Sequence, residues 1–342
     1  MKNSEYWKER FLQIENSSHK NAQTVLTDIE EQYIVAQRKI EADIEKWYRR
    51  FANNNEITMH EAKKLLNSKE VAEFKWDIKD YIKNAQGNEI SDSLMKQLEN
   101  ASARHHITKL EALKFQTQLT GERLFGNQTD AIDKFIKRNY LDTYYHAAYE
   151  VQKGFNIGWD VAAIDERRLK AIIFKPWTTD GKNFSERIWS NKTKLINELQ
   201  TQLTQDIILG RSPQESIKAI AKKFSTSKSN AGRLVMTESA YFSSISQKNC
   251  FNELNVKRYK IVATLDSNTS SICQGLDGEI FNMKDYEAGV SAPPFHPQCR
   301  TTTVPHFDDN YGERAARKAD GTTHYVSSDM KYKDWKEKYV SE

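Results

Sequence analysis

The chain has 342 residues, with 51 Lys and Arg against 47 Asp and Glu, but only 13 Gly and 6 Pro. So little Gly and Pro excludes collagen-like and low-complexity chains, and 11% aromatic with 38% hydrophobic residues excludes a disordered one. A mean hydropathy of −0.77 is low for one compact globule, so the composition predicts a mainly α, elongated protein of long helices with large solvated faces. The net charge of +4 is a sum of unlike parts: −2 over residues 1–100, +8 over 101–250 and −2 over 251–342. The basic middle reads either as solvated helix faces or as a surface that meets a polyanion.

Residues 1–20 lack the apolar region of a signal peptide, and no apolar run of about 18 residues exists to form a membrane anchor. Segment 22–53 predicts a helix, because Leu26, Ile29, Tyr33, Ala36, Ile40, Ile44, Trp47 and Phe51 recur at steps of three and four. Such a stripe packs on a neighbour in the same chain or docks another subunit. Shorter helices are expected over 58–67, 69–85, 91–103 and 106–118, the first with Thr58 and Glu61 as a capping box. A second long helix is expected from Thr129 to Phe155, carrying the tyrosine band Tyr140, Tyr144, Tyr145 and Tyr149. That band reads as core more readily than as a nucleotide-stacking platform.

Lys175-Pro176-Trp177 and Asp180-Gly181 mark turns, followed by a helix from Ser185 to Leu209 with Gly210 at its C-terminal cap. Ser212, Pro213 and Glu215 form an N-terminal capping signature for a helix ending near Phe224. The polar stretch Ser225–Asn230 predicts a break, and a further helix continues to Asn252. Lys257–Leu265 alternates and is β-branched, which predicts a strand opening a small, turn-rich α+β module. The expected organisation is a helical N-terminal region over 1–120, a helical basic middle over 121–254, a Cys/His module over 255–307, and a polar tail over 308–342. That tail ends in a short helix around Tyr332–Tyr339.

Two constellations carry chemical signal. Three cysteines, Cys250, Cys273 and Cys299, are too few for a disulfide framework and fit a reducing compartment or a metal site. His296 and Cys299 lie three residues apart with Cys273 upstream, which makes Zn2+ the cofactor such a set would take, with Asp266 or His306 as a fourth ligand. Buried thiols beside a hydrogen-bonded histidine are the plain alternative. A zinc-dependent nuclease or hydrolase would need an acid/base such as Asp277 or Glu279 beside them. The second constellation is 215–235, which reads as a helix-turn-helix with Ser227 capping a recognition helix. Alternatively, Lys218, Lys222, Lys223, Lys228 and Arg233 contact phosphates without reading sequence. No phosphate-binding Gly loop, paired-His metalloprotease helix or Gly-x-Ser-x-Gly elbow appears, so no catalytic residue is named and no enzyme is expected.

Four blocks, in order, resemble the phage Mu F-like minor head proteins, the head morphogenesis family of tailed phages. They are Asp180–Trp189, Arg233-Leu-Val-Met-Thr237-Glu238, Ala263–Gly278 and Pro293–Arg300, spanning about 180–307. The Tyr332-Lys-Asp-Trp335 ending also looks like such proteins. The resemblance implies a minor capsid protein, not an enzyme, that associates with the portal protein and other capsid components. It implies a place inside the virion near the portal vertex, reached from the host cytoplasm during assembly, and contact with double-stranded DNA that in some phages extends to ejection with it. It also marks Thr237, Glu238, Asp277, Gly278 and Arg300 as structural motif residues, with Glu238 accepting from the turn of the 255–307 module or pairing with Arg300. This chain departs from its relatives in having Ser270 and Thr301 where many carry cysteine, and Asn268 where many carry Arg.

Overall fold

The computed structural model describes residues 4–54, 109–156, 158, 161, 163–209, 211–307, 313–317 and 323–327. The expected helices between 58 and 103, the Thr58–Glu61 cap, the Gly210 cap and the helix around Tyr332–Tyr339 lie outside these residues. The protein is mainly α with a small antiparallel sheet, as its composition implies. The helices are α1 (Ser4–Asn54), α2 (Lys109–Phe155), α3 (Glu166–Ile173), α4 (Phe184–Ile208), α5 (Pro213–Glu253) and α6 (Ser271–Leu276). The strands are β1 (Arg258–Val262), β2 (Ile280–Asn282), β3 (Thr302–His306), β4 (Glu313–Arg317) and β5 (Thr323–Ser327).

Three helices are longer than the sequence pattern suggested. In α1 the buried stripe starts at Trp7 and continues through Phe11, Glu15, Ser18 and Ala22 before Ile29 and Tyr33. Polar Glu15 and Ser18 occupy stripe positions, which hides the helical period of the first twenty residues. Helix α2 begins at Lys109 rather than Thr129 and runs through Gly121 and Gly126. A Cβ on Gly121 would stand 3.1 Å from the Ile196 side chain, so glycine permits close approach of α4 there. Helix α5 is a single helix of 41 residues, so the break expected at Ser225–Asn230 is absent and 215–235 is not a helix-turn-helix. The hydroxyls of Thr226 and Ser229 donate to the carbonyls of Lys222 and Ser225 at 3.2 and 3.0 Å, so they do not divert the backbone. With no Pro in the stretch, tertiary burial of Phe224, Ser227 and Ala231 keeps the helix intact.

Caps follow the sequence closely. Ser212 and Glu215 make the reciprocal box at the start of α5, at 2.7 and 3.2 Å. Asn183 and Glu186 make another before α4, at 2.8 and 3.0 Å, which places that start one residue ahead of Ser185. Gly181, at φ 67°, completes the expected turn.

The chain divides into two compact units, and α1, α2 and α5 contribute residues to both. One unit comprises 22–137 and 166–238. Its buried hub is Tyr33, whose ring meets Phe125 and Phe224 edge-on. The Tyr33 hydroxyl lies 3.1 Å from Ser227 Oγ and 3.4 Å from Gln128 Oε1, and it accepts from Asn191 at 3.4 Å. One tyrosine of α1 thus joins α2, α4 and α5, and burial pushes its hydroxyl up to about 12. Nearby, Lys192 donates to both oxygens of buried Glu122 at 2.9 Å and lies 4.3 Å above the Trp189 ring.

The other unit comprises 1–21, 138–165 and 239–342. Its sheet has the order β2-β1-β3, all antiparallel, with Tyr259 of β1 opposite Phe281 and Pro305. The core packs Trp7 and Phe11 of α1 with Val151 of α2, Phe251 of α5, and Tyr259, Ile261, Tyr286 and Val304. Tyr140 and Tyr144 are buried, whereas Tyr145 and Tyr149 are 40% and 58% exposed, so the tyrosine band is half core and half surface. A polar seam runs along the end of α5. Ser246 donates to the Tyr140 carbonyl at 2.7 Å, Gln247 pairs with Thr302 and Thr303, and Ser244 meets the Tyr286 hydroxyl at 2.8 Å. In the tail, expected to be merely polar, β4 and β5 form an antiparallel hairpin pairing Glu313 with Ser327 and Arg317 with Thr323.

Helix α2 approaches α1 tightly at Gly154, where an added Cβ would lie 2.0 Å from the Trp7 ring. Intrinsic propensity favours alanine over glycine in a helix by about 1 kcal/mol. Gly154→Ala is nevertheless expected to destabilise the protein by about 1–3 kcal/mol, because a rigid indole must move in a packed core. Urea unfolding of the variant and the parent measures the sign.

Candidate metal centre and basic helix face

Strand β1 leads into a loop that returns through α6 to β2. The backbone N–H of Ala263 donates to Asp277 Oδ1 at 2.8 Å, and the Gly278 N–H donates to the Ile261 carbonyl at 2.9 Å. Gly278 holds φ 87°, where an L side chain is strained. Asp277 and Gly278 therefore fold the end of α6 back onto β1. Ser270 caps α6 by accepting from the Cys273 N–H at 3.2 Å. Cys273 thus sits on the first turn of α6. His296 and Cys299 come from the turn that precedes β3.

These three side chains converge. Cys273 Sγ lies 3.2 Å from His296 Nε2 and 3.7 Å from Cys299 Sγ, and all three ligand atoms lie within 4.8 Å of one another. Both sulfurs are buried beside Ala263 and Phe295. The hydrogen bond from Cys299 holds the Cys273 thiol well below its ordinary range, and the same bond, with burial, raises Cys299.

Asp266 does not join them. Its carboxylate accepts from Arg300 at 2.5 Å and from the Asn268 N–H at 2.8 Å. The hydrogen bond from Arg300 holds the Asp266 carboxyl below its ordinary value. His306 lies on β3, opposite Arg258, and is also outside the group of three. Among the described residues the group therefore offers three ligands. Arg300 has two further neighbours that the sequence pattern did not single out, Glu15 and His19 on α1. Burial pushes Glu15 up to about 7 against the attraction of Arg300, and burial followed by Arg300 lowers His19. The only trace of this pair in the sequence is their spacing of four, which places both on one helical face.

The basic residues of α5 separate by exposure. Lys218, Lys222 and Arg233 are exposed, and their spacing places them within about 60° of one another around the helix, over about 22 Å of its length. Lys223 is half-buried and pairs with Glu198 at 3.6 Å, and Lys228 is half-buried. Thr237 donates to the Arg233 carbonyl at 2.7 Å. Glu238 is buried and accepts from Trp177 Nε1 at 3.0 Å, which ties the Lys175–Asp180 turn to α5. Its donor therefore comes from outside the 255–307 module, contrary to the expectation of a bond to that module's turn or to Arg300, whose guanidinium goes to Asp266. The same turn is closed by Arg187, which donates to Asp180 at 2.6 Å.

Residues 197–304 match the family model described as Phage Mu protein F like protein. The matched segment contains the Arg233–Glu238, Ala263–Gly278 and Pro293–Arg300 blocks and the converged Cys/His group. The Asp180–Trp189 block lies outside it. No curated protein and no solved structure matches the chain. No described helix is long and apolar enough to cross a membrane.

Burial raises the Glu238 carboxyl from 4.5 to about 7. Below about pH 4.5 the group is protonated in both folded and unfolded chains and imposes no penalty. Between about 4.5 and 7 the unfolded chain loses its proton first, so stability falls, and above that it levels off. The expected loss is about 3 kcal/mol. Glu15 adds a decline in the same window, so Glu238→Gln should remove about half of the fall between pH 5 and pH 8.5 in urea unfolding. An equal fall in variant and parent would show that Glu238 is not the titrating group.

Proposed function

We propose that this protein is a minor component of a phage head that associates with the portal vertex and contacts packaged double-stranded DNA. The observation that carries the reading is the match of residues 197–304 to the Phage Mu F-like family, which supports a head or capsid-related virion protein with capsid partners. Portal association and departure with the DNA rest on the resemblance of the sequence blocks. DNA contact has separate support in the +8 charge of residues 101–250 and in the exposed face of Lys218, Lys222 and Arg233. Because α5 is continuous, that contact is to phosphates along one helix face, since 215–235 forms no helix-turn-helix to present a recognition helix.

Removing residues 197–304 from the encoding phage should leave DNA-deficient or non-infectious heads, with the parent protein found in purified particles alongside the portal. Normal infectious titres from the deletion would overturn the head-component reading. DNA contact is tested on the purified chain by fluorescence anisotropy with a random-sequence duplex between 50 and 200 mM salt. Binding should weaken steeply with salt and show no preference among sequences. Replacing Lys218, Lys222 and Arg233 together by alanine should reduce the slope of log K against log salt by about 0.9 for each phosphate that is no longer neutralised. A slope unchanged in the triple variant would remove this face from the DNA interface.

A further inference from the structure

The three cysteines fall into two chemical classes. Cys250 lies in the apolar core with Phe11 and Phe251 neighbouring it in that cluster, and burial pushes its thiol up to about 12. That is the behaviour of a cysteine used as a small hydrophobe. Cys273 and Cys299 instead face each other and an imidazole, in a separate small cluster with Ala263 and Phe295.

Their spacing is informative. A disulfide holds its sulfurs about 2.05 Å apart, and these sulfurs are free and 3.7 Å apart. A tetrahedral zinc ion about 2.3 Å from each sulfur and about 2.0–2.1 Å from an imidazole nitrogen separates sulfur from sulfur by about 3.8 Å and sulfur from nitrogen by about 3.6 Å. The Cys273–Cys299 and Cys273–His296 separations, 3.7 Å and 3.2 Å, are close to those edges, and the third pair of ligand atoms lies within 4.8 Å. The surroundings match the same need. His296 Nδ1 donates to the Pro297 carbonyl at 2.9 Å, which fixes the proton on that nitrogen and leaves the Nε2 lone pair facing the sulfurs. Gln298, at φ 60°, occupies the left-handed region that side chains rarely adopt, and this turn carries Cys299 back toward Cys273.

We propose that Cys273, His296 and Cys299 bind one Zn2+ ion that clasps α6 to the 295–299 turn ahead of β3. Two thiolates and one imidazole suit a borderline-soft divalent cation and disfavour Mg2+ or Ca2+. Binding is an acid–base exchange: the cation displaces the thiol protons to solvent, and no group changes oxidation state. The clasp closes a module whose Cys/His cluster contains only Ala263 and Phe295 as further apolar residues. It also fixes the backbone between Cys299 and Thr302, and with it the position of Arg300 against Asp266. The proposal stands independently of the head-component reading, since it rests only on the geometry of the site.

The test uses the full chain, expressed with zinc supplementation and purified under reducing conditions. Elemental analysis should find about one equivalent of zinc, and a thiol-blocking mercurial should release it. Exchange with Co2+ should give thiolate-to-metal charge-transfer absorption, lowered by Cys273→Ser and by Cys299→Ser and shifted by His296→Gln, but unchanged by Cys250→Ala. Chelation should lower the melting temperature and speed amide hydrogen exchange within 263–301. Under a tenth of an equivalent of zinc in folded parent protein overturns the proposal. So does a Cys273–Cys299 disulfide in metal-free protein, seen as a loss of about 2 Da under non-reducing conditions. Equal metal loss in Cys250→Ala does so too. The parent-protein measurements decide the matter even if the serine variants fail to fold.

Discussion

The unbroken course of α5 from Pro213 to Glu253 is the constraint on which the rest of the structure depends. A helix of this length must satisfy or bury whatever side chains fall on each face. Over 213–238 the buried face is Ile220, Phe224, Ser227, Ala231 and Val235, which leaves Lys218, Lys222 and Arg233 facing outward. Over 239–253 the buried face becomes polar, with Ser243, Ser244, Ser246 and Gln247. Gln247 engages Thr302 and Thr303 and so anchors β3. Anchoring β3 places Thr301, Arg300 and Cys299 immediately before it, within reach of α6. The Cys/His geometry is therefore downstream of how the last turns of α5 are hydrogen-bonded.

That polar seam has a physical consequence. Buried hydroxyls and amides contribute little net stability when paired, but leaving one unpaired costs about 1–3 kcal/mol. Each bond is directional, so the seam specifies one register of α5 against α2 and β3 where apolar packing tolerates several. The Tyr33 hub works in the same way in the other unit, because one hydroxyl shared among Ser227, Gln128 and Asn191 sets the register of three helices against α1. Buried Glu15 and Glu238 go further. Burial raises both carboxyls to about 7; Glu238 ends one of the family blocks, and Glu15 is near Arg300, which ends another.

The candidate metal group shows what three ligands can do in a small fold. Apolar residues near the two sulfurs are few, so turn chemistry carries the positioning. Ser270 caps α6, Asp277 and Gly278 return the chain to β1, and Gln298 bends it toward Cys273. Asp266 stands outside this group and pairs with Arg300 instead. The arrangement separates a soft donor set from a hard ion pair within one module.

Local rules were enough for much of this protein. Scarce Gly and Pro, the three-and-four spacing of Ile29 to Trp47, the Ser212–Glu215 box and the alternation at Arg258–Val262 each act within a few residues, so the sequence alone determined helices, caps and strand β1. The ordered blocks likewise pointed to the phage head family, which the match over 197–304 supports. The extent of α1, α2 and α5 was decided by tertiary structure. Glu15, Ser18, Gly121 and the Ser225–Asn230 stretch look like interruptions until a buried partner surface holds them in helix. The pairing of Asp266 with Arg300, of Glu238 with Trp177, and of Cys273 with His296 and Cys299 was decided there too. Each joins residues 20 or more positions apart, and no periodicity in a linear chain encodes which of several polar candidates will meet once the backbone has closed.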